Sequence, residues 1–137
     1  MDPRGGGSQI PLPGGAYNDI LPKLPMADCL FCRIVRREIP AQIVHEDEQA
    51  IVFKDITPQA PTHLLVVPKK HLGSLSASTD GDVALLGHLQ RVASRAAESA
   101  KLSSYRLVTN TGKGAGQSVD HLHYHLLGGR PMHWPPG

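Results

Sequence analysis

The chain is 137 residues long with a formal charge of only +2, and 19% of its residues are charged and 4% aromatic. That length suits one compact domain, and so small a charge with so few aromatics excludes the basic, aromatic-studded face of a small nucleic-acid binder. The longest apolar run, Leu64 to Val67, is far too short to cross a bilayer, and Met1 to Gly15 hold no apolar stretch of signal-peptide kind.

Residues 1–25 are rich in glycine and proline, from Gly5-Gly6-Gly7 through Pro11-Leu12-Pro13-Gly14-Gly15. Such a segment buries too little apolar area to offset its ordering entropy, so it reads as a disordered extension. Met26-Ala27-Asp28-Cys29 has the look of a protein start, and a folded domain is expected over 26–137. Asp28 caps a short helix whose apolar residues Leu30, Phe31, Ile34 and Val35 share a face, and Pro40 ends it. Ile43–Glu46 and Ala50–Asp55 read as strands joined by the polar turn Asp47-Glu48-Gln49. After the proline-marked loop 58–61 comes a third strand, His63–Val67, stopped by Pro68.

The best helix follows. Leu85, Leu86, Leu89, Val92, Ala93, Ala96, Ala97 and Ala100 fall on one helical face, with Asp80 and Asp82 near the start, where the dipole favours them. Tyr105–Asn110 and His121–Leu127 are two further strands, and the tail from Pro131 is irregular. The order predicts an α+β domain: an antiparallel sheet of about five strands, with one long and one short helix packed on one face. A sheet this small leaves an edge to cover, which favours a homodimer.

Cys29 and Cys32 are too close for a disulfide that would close a useful loop. They indicate a reducing compartment, cytosol or cytosol plus nucleus, and leave a Cys-x-x-Cys for metal or redox chemistry. His45 and His88 read as surface residues with no partner visible in sequence, and Lys69-Lys70 as a solvated pair or an attractor of negative charge.

On an extended segment His121, His123 and His125 project to one side, roughly 7 Å apart in steps of two residues, while Leu122, Tyr124 and Leu126 take the other. That spacing lets one imidazole attack an atom while a neighbour reaches the departing group, and imidazole titrates near neutrality. A metal site or a polar sheet face gives the same pattern. Upstream lies Asn110-Thr111-Gly112-Lys113-Gly114-Ala115-Gly116-Gln117-Ser118. Its glycines let backbone N–H groups approach an anion, though its spacing is not that of a Walker loop.

His121-Leu122-His123-Tyr124-His125-Leu126-Leu127 resembles the signature of the histidine-triad (HIT) superfamily. The likeness extends through Asp55 to His63, Val67-Pro68-Lys69-Lys70-His71, Gly116-Gln117-Ser118 and the end Gly128 to Gly137. That end resembles the histidine-triad nucleotide-binding (Hint) branch. The resemblance covers residues 26–137 and implies a purine nucleoside phosphoramidase or adenylate hydrolase working through a nucleotidyl-histidine. His123 matches the nucleophile, His125 a contact to phosphate oxygen or leaving group, and His121 and His63 residues that orient the nucleophilic ring. Asn110, Gly116, Gln117 and Ser118 match the phosphate side, Asp55 the ribose carboxylate, and Phe53 and Ile56 apolar walls for the purine. Histidine at 125, where a transferase branch has glutamine, favours hydrolysis.

The same resemblance implies substrates such as adenosine phosphoramidates and aminoacyl adenylates, a homodimer in which Trp134 reaches the partner's site, and no nucleic-acid or membrane partner. It also implies a structural zinc on Cys29, Cys32, His71 and His121, with no cofactor required for the chemistry. His133 belongs to the tail motif at the expected dimer interface. Asp120 departs from the family pattern, which usually has an aromatic residue there. Two alternatives stand beside this reading: a nucleotide- or zinc-binding regulatory module with little activity, and a dinucleoside polyphosphate hydrolase.

Overall fold

The computed structural model describes residues 29–137. The expected extension over 1–25 lies outside the described residues, and the short helix that begins at Leu30 is capped by Cys29, not by Asp28 as expected. In chain order the elements are α1 (Leu30–Val35), β1 (Ile43–Glu46), β2 (Ala50–Lys54), β3 (Thr62–Pro68), α2 (Val83–Ser99), β4 (Tyr105–Val108) and β5 (Tyr124–Gly128). The strands form one antiparallel sheet in the order β1-β2-β3-β5-β4. The expected five-stranded α+β architecture with one long and one short helix is therefore present.

The two helices do not share a face, as had been expected. β2 and β3 are apolar at both parities, so both of their sides need cover. Ala50, Val52, Leu64 and Val66 pack with Leu85, Leu89, Val92, Ala93, Ala96 and Ala97 of α2. Ile51, Phe53, Leu65 and Val67 pack with Leu30, Phe31 and Ile34 of α1. Leu89 alone, with no exposed surface, contributes about 1.5–3 kcal/mol of burial.

Both helices end in the same way. The N–H of Leu102 donates to Ala97 O and that of Lys101 to Glu98 O, around Lys101 at φ 59°. Arg37, at φ 64°, does the same for α1, where Glu38 N–H donates to Arg33 O. This left-handed turn satisfies the last carbonyls and stops α1 before Pro40, which had been expected to end it. Asp82 accepts from Thr79 N–H and from Lys70 Nζ at the entry to α2.

Candidate functional site

β5 starts at Tyr124 and pairs Val66↔Tyr124 and Leu65↔His125 with β3, so His121 and His123 precede the ladder rather than lying within it. The expected alternation nonetheless persists through the unpaired residues. Leu122, Tyr124 and Leu126 enter the core under α2, while the rings of His121 and His123 stand edge-on to Phe31 at 6.1 and 5.0 Å between centroids. The His123 and His125 rings are 5.0 Å apart.

Main-chain groups, whose donor or acceptor role is unambiguous, fix the tautomers of three rings. His123 Nδ1 lies 2.6 Å from His121 O; a carbonyl only accepts, so Nδ1 carries the proton and Nε2 keeps its lone pair. Gln59 N–H donates to His63 Nδ1 at 3.0 Å, which puts the His63 proton on Nε2. That atom is 2.9 Å from His125 Nδ1 and 3.4 Å from Asp55 Oδ2. His125 therefore accepts at Nδ1 and presents an N–H at Nε2. Asp55, His63 and His125 bring ligand atoms close enough for a cation, but a protonated His63 Nε2 makes them a hydrogen-bonded relay. The third ring is His121, whose Nε2 donates to Pro68 O at 2.8 Å.

Burial holds all three triad imidazoles below their ordinary pKa. It brings His121 and His125 down to about 4 and lowers His123, against the smaller opposing pull of the His121 carbonyl and of Asp55. Neighbouring rings add to the effect at His125. At neutral pH the trio is uncharged, which suits a nucleophile. A cleft of about 410 Å³ opens over His63 and His125, lined also by Asn110, Arg106, Arg130 and His133. His123 stands one ring behind it and is 5% exposed.

The glycine-rich loop sits beside this cleft. Gly112 and Gly116 adopt φ 87° and 96°, conformations glycine reaches without strain, and a Cβ at Gly116 would stand 3.7 Å from Asn110 Nδ2. Gln117, expected at the phosphate, instead spends its buried amide on the backbone. Oε1 accepts from Gly112 N–H at 2.8 Å, and Nε2 donates to Gly73 O and Val119 O at 2.7 and 3.0 Å. It latches the loop. Ser118 is exposed, as is Asp120, and Ile56 is half-buried. Asp55 Oδ1 accepts from the N–H and hydroxyl of Thr57. Phe53, expected as a purine wall, has no exposed surface and packs against Phe31 at 5.5 Å, so it backs the wall from the core. Trp134 is 82% exposed.

A second cluster lies on the α1 side of His121. Cys29 Sγ is 3.5 Å from His71 Nδ1 and 3.2 Å from His121 Nδ1. For Cys32 Sγ the corresponding distances are 3.2 and 3.5 Å, and the two Nδ1 atoms are 3.1 Å apart. A tetrahedral ion with bonds of about 2.0–2.3 Å to nitrogen and sulfur needs ligand–ligand edges of roughly 3.3–3.8 Å. The cluster has close to that shape, and these four residues lie near enough to one another to hold a metal. His121 Nδ1 has its lone pair toward the sulfurs because Nε2 is tied to Pro68. Burial, then Cys32, pushes the Cys29 thiol up to about 12; an ion would have to displace that proton.

Several partners were not legible in the sequence. Lys69 pairs with Glu46 at 2.7 Å and Lys70, its side chain 60% exposed, with Asp82 at 2.6 Å, so both are engaged by local carboxylates at the strand end, Lys70 still in solvent. His45 and His88 share Asp47 Oδ2 at 2.8 and 2.9 Å, a partner not visible in the sequence. Gln59 N–H, Pro68 O and His121 O give no sequence signal, since every residue but proline offers the same backbone groups. Thr109, whose hydroxyl donates to His123 O at 2.8 Å, is equally unmarked. Phe31 was legible only as core, though its place between the two cysteines could have suggested contact with their cluster.

Residues 28–133 match the family model described as "Scavenger mRNA decapping enzyme C-term binding". An uncharacterized HIT-like protein of Synechocystis is 54% identical over 111 residues, 80% of this chain and 97% of the relative. The crystal structure of a HIT family hydrolase from Legionella pneumophila is similar at TM-score 0.79 and 51% identity, covering 80% of this chain and 100% of the other. A histidine triad protein from Clostridium difficile is similar at TM-score 0.75 and 38% identity, with coverage of 80% and 97%.

Proposed function

Because this chain belongs to the histidine-triad superfamily, we propose that it is a hydrolase of purine nucleoside phosphoramidates and related adenylates, with His123 as nucleophile. The observation that carries this reading is the pair of fixed tautomers. His123 has its proton on Nδ1 against His121 O and a lone pair on Nε2, and the neighbouring His125 has an N–H at Nε2 through the His63 relay.

Nε2 of His123 attacks the α-phosphorus, an N–P bond forms, and the bond from phosphorus to the amine breaks. His125 Nε2–H donates a hydrogen bond to the departing nitrogen, which leaves as the amine on taking a proton from solvent water. In the second step the oxygen of the resulting hydroxide bonds to phosphorus as the His123 N–P bond breaks, releasing the nucleoside monophosphate. One hard displacement thereby becomes two easier ones. The burial that lowers His123 keeps it unprotonated for the first step.

Asn110 and the Gly112–Ser118 backbone form the phosphate side of the site. Asp55 meets the ribose, and Ile56, backed by Phe53, meets the base. The cluster of Cys29, Cys32, His71 and His121 holds a structural zinc, which supplies a cross-link and no chemistry at phosphorus. Two chains form a homodimer in which the exposed Trp134 reaches the partner's cleft. Among the described residues no helix is long and apolar enough to cross a membrane.

The test is to quench the reaction with an adenosine phosphoramidate and locate the adduct by mass spectrometry. A nucleotidyl group on His123, absent from His123→Ala together with turnover, is the expected result; normal turnover by that variant overturns the mechanism. A dinucleoside polyphosphate hydrolase is the second reading, favoured by the match to the decapping family model. Parallel rates on a phosphoramidate and a dinucleoside polyphosphate separate the two.

A further inference from the structure

His121 belongs to both clusters, through different atoms. Its ring Nδ1 faces the two sulfurs and His71, at 3.1 to 3.5 Å. Its main-chain oxygen accepts the Nδ1 proton of His123. The ring has no exposed surface and is held at its far end by Pro68 O. Phe31 makes a second bridge: it lies between the two cysteines in sequence and stands edge-on to both His121 and His123.

We propose that the Cys29–Cys32–His71–His121 cluster is a positioning element for the hydrolase: an ion held there fixes the His121 main chain and Phe31, and through them the orientation and tautomer of the His123 ring. Without an ion, two thiols and two imidazole nitrogens stand within 3.5 Å, bridged only by S–H protons or by a proton on His71 Nδ1. The metal bond to the His121 ring is then replaced by weaker, interchangeable hydrogen bonds. What competes with this coupling is also visible: Leu122 N–H donates to Leu72 O at 2.6 Å and His121 N–H to Val119 O at 2.9 Å. If those two bonds alone hold the main chain, the ion adds stability and nothing more.

The inference rests on the proposed nucleophile, but its primary readout does not need turnover. Ring nitrogens of 15N-histidine protein report the tautomer of each imidazole directly. Zinc-loaded protein is expected to show His123 as one tautomer, with a protected Nδ1 proton. After chelation the signals should broaden to mixed tautomers, while kcat on an adenosine phosphoramidate falls at least about tenfold and KM moves less than about twofold. Reloading zinc restores both. Unchanged His123 signals with unchanged kcat overturn the coupling and leave the cluster a mere staple.

Should chelation unfold the chain, zinc and cadmium forms are compared instead, both folded. The larger ion must displace the His121 ring, so the His123 nitrogens should shift with it; identical spectra overturn the proposal. A loaded wild type that turns over neither substrate class refutes the proposed function separately, whatever the ring signals show.

Discussion

Gln117 is where the resemblance and the geometry part, and substitution there separates them. Its side-chain amide makes three hydrogen bonds to backbone, to Gly112 N, Gly73 O and Val119 O, and the residue is 6% exposed. Each such bond contributes about 1 kcal/mol net, and a buried partner left unpaired costs about 1–3 kcal/mol. Gly112 lies in an exposed loop where water can replace the lost acceptor, so the cost falls mainly on the two carbonyls. Gln117→Ala should therefore destabilise the protein by about 2–4 kcal/mol, read as a lower urea midpoint at unchanged slope in the absence of any nucleotide. Gln117→Glu is the sharper probe. It retains the acceptor for Gly112 but turns a carboxylate against two carbonyls. Its folded pKa must then rise, so the variant is worst above the unfolded glutamate value near pH 4.3 and recovers as pH falls below it. A residue whose task was to touch phosphate would leave the unliganded protein's stability alone. Both variants within about 0.5 kcal/mol of wild type would refute the latch.

Burial holds His123 below the usual imidazole value, so kcat/KM should stay flat as pH falls through about 6.5 and decline only at lower pH, measured with a phosphoramidate in a three-buffer series. Stability should fall over the same interval: His125, about 4 when folded, takes up its proton first in the unfolded chain, so the urea midpoint should drop between pH 7 and 5. Gly129→Ala forces φ 90° on an L residue and sets its Cβ 2.9 Å from Pro61 Cβ; a loss of about 2 kcal/mol is expected, larger than for Gly128→Ala, which needs no left-handed φ and meets the side chain of Leu102, free to turn, at 2.7–3.2 Å. Asp47→Ala removes the acceptor shared by His45 and His88 and the one for Gln49 and Ala50 N–H. It should cost about 2–3 kcal/mol while leaving kcat unchanged.

The sequence carried the elements well because their periodicities are strong: the face of α2 and the alternation through residues 121–127 both survive folding. It misplaced α1 because apolar residues at both parities of β2 and β3 say that two faces are buried, not which helix takes which. The strand start was set three residues early, at His121 instead of Tyr124, since side-chain alternation outlasts hydrogen bonding to a neighbour. The identities of the site histidines were legible, but their protonation was not. That is decided by Pro68 O, His121 O and Gln59 N–H, groups that belong to the chain path. Gln117 misled for the opposite reason, because an amide suits a phosphate and a backbone equally.

The sulfur of Cys29 also accepts the N–H of Cys32 at 3.0 Å, as the N-cap of α1. Six residues make too short a helix to persist unaided, so its first turn leans on that acceptor and on the buried side chains behind it. A thiolate accepts more strongly than a thiol. The exchange rate of one amide hydrogen, that of Cys32, is thus a built-in gauge: it should slow when the sulfur is ionised and ligated, and quicken when it is protonated or alkylated.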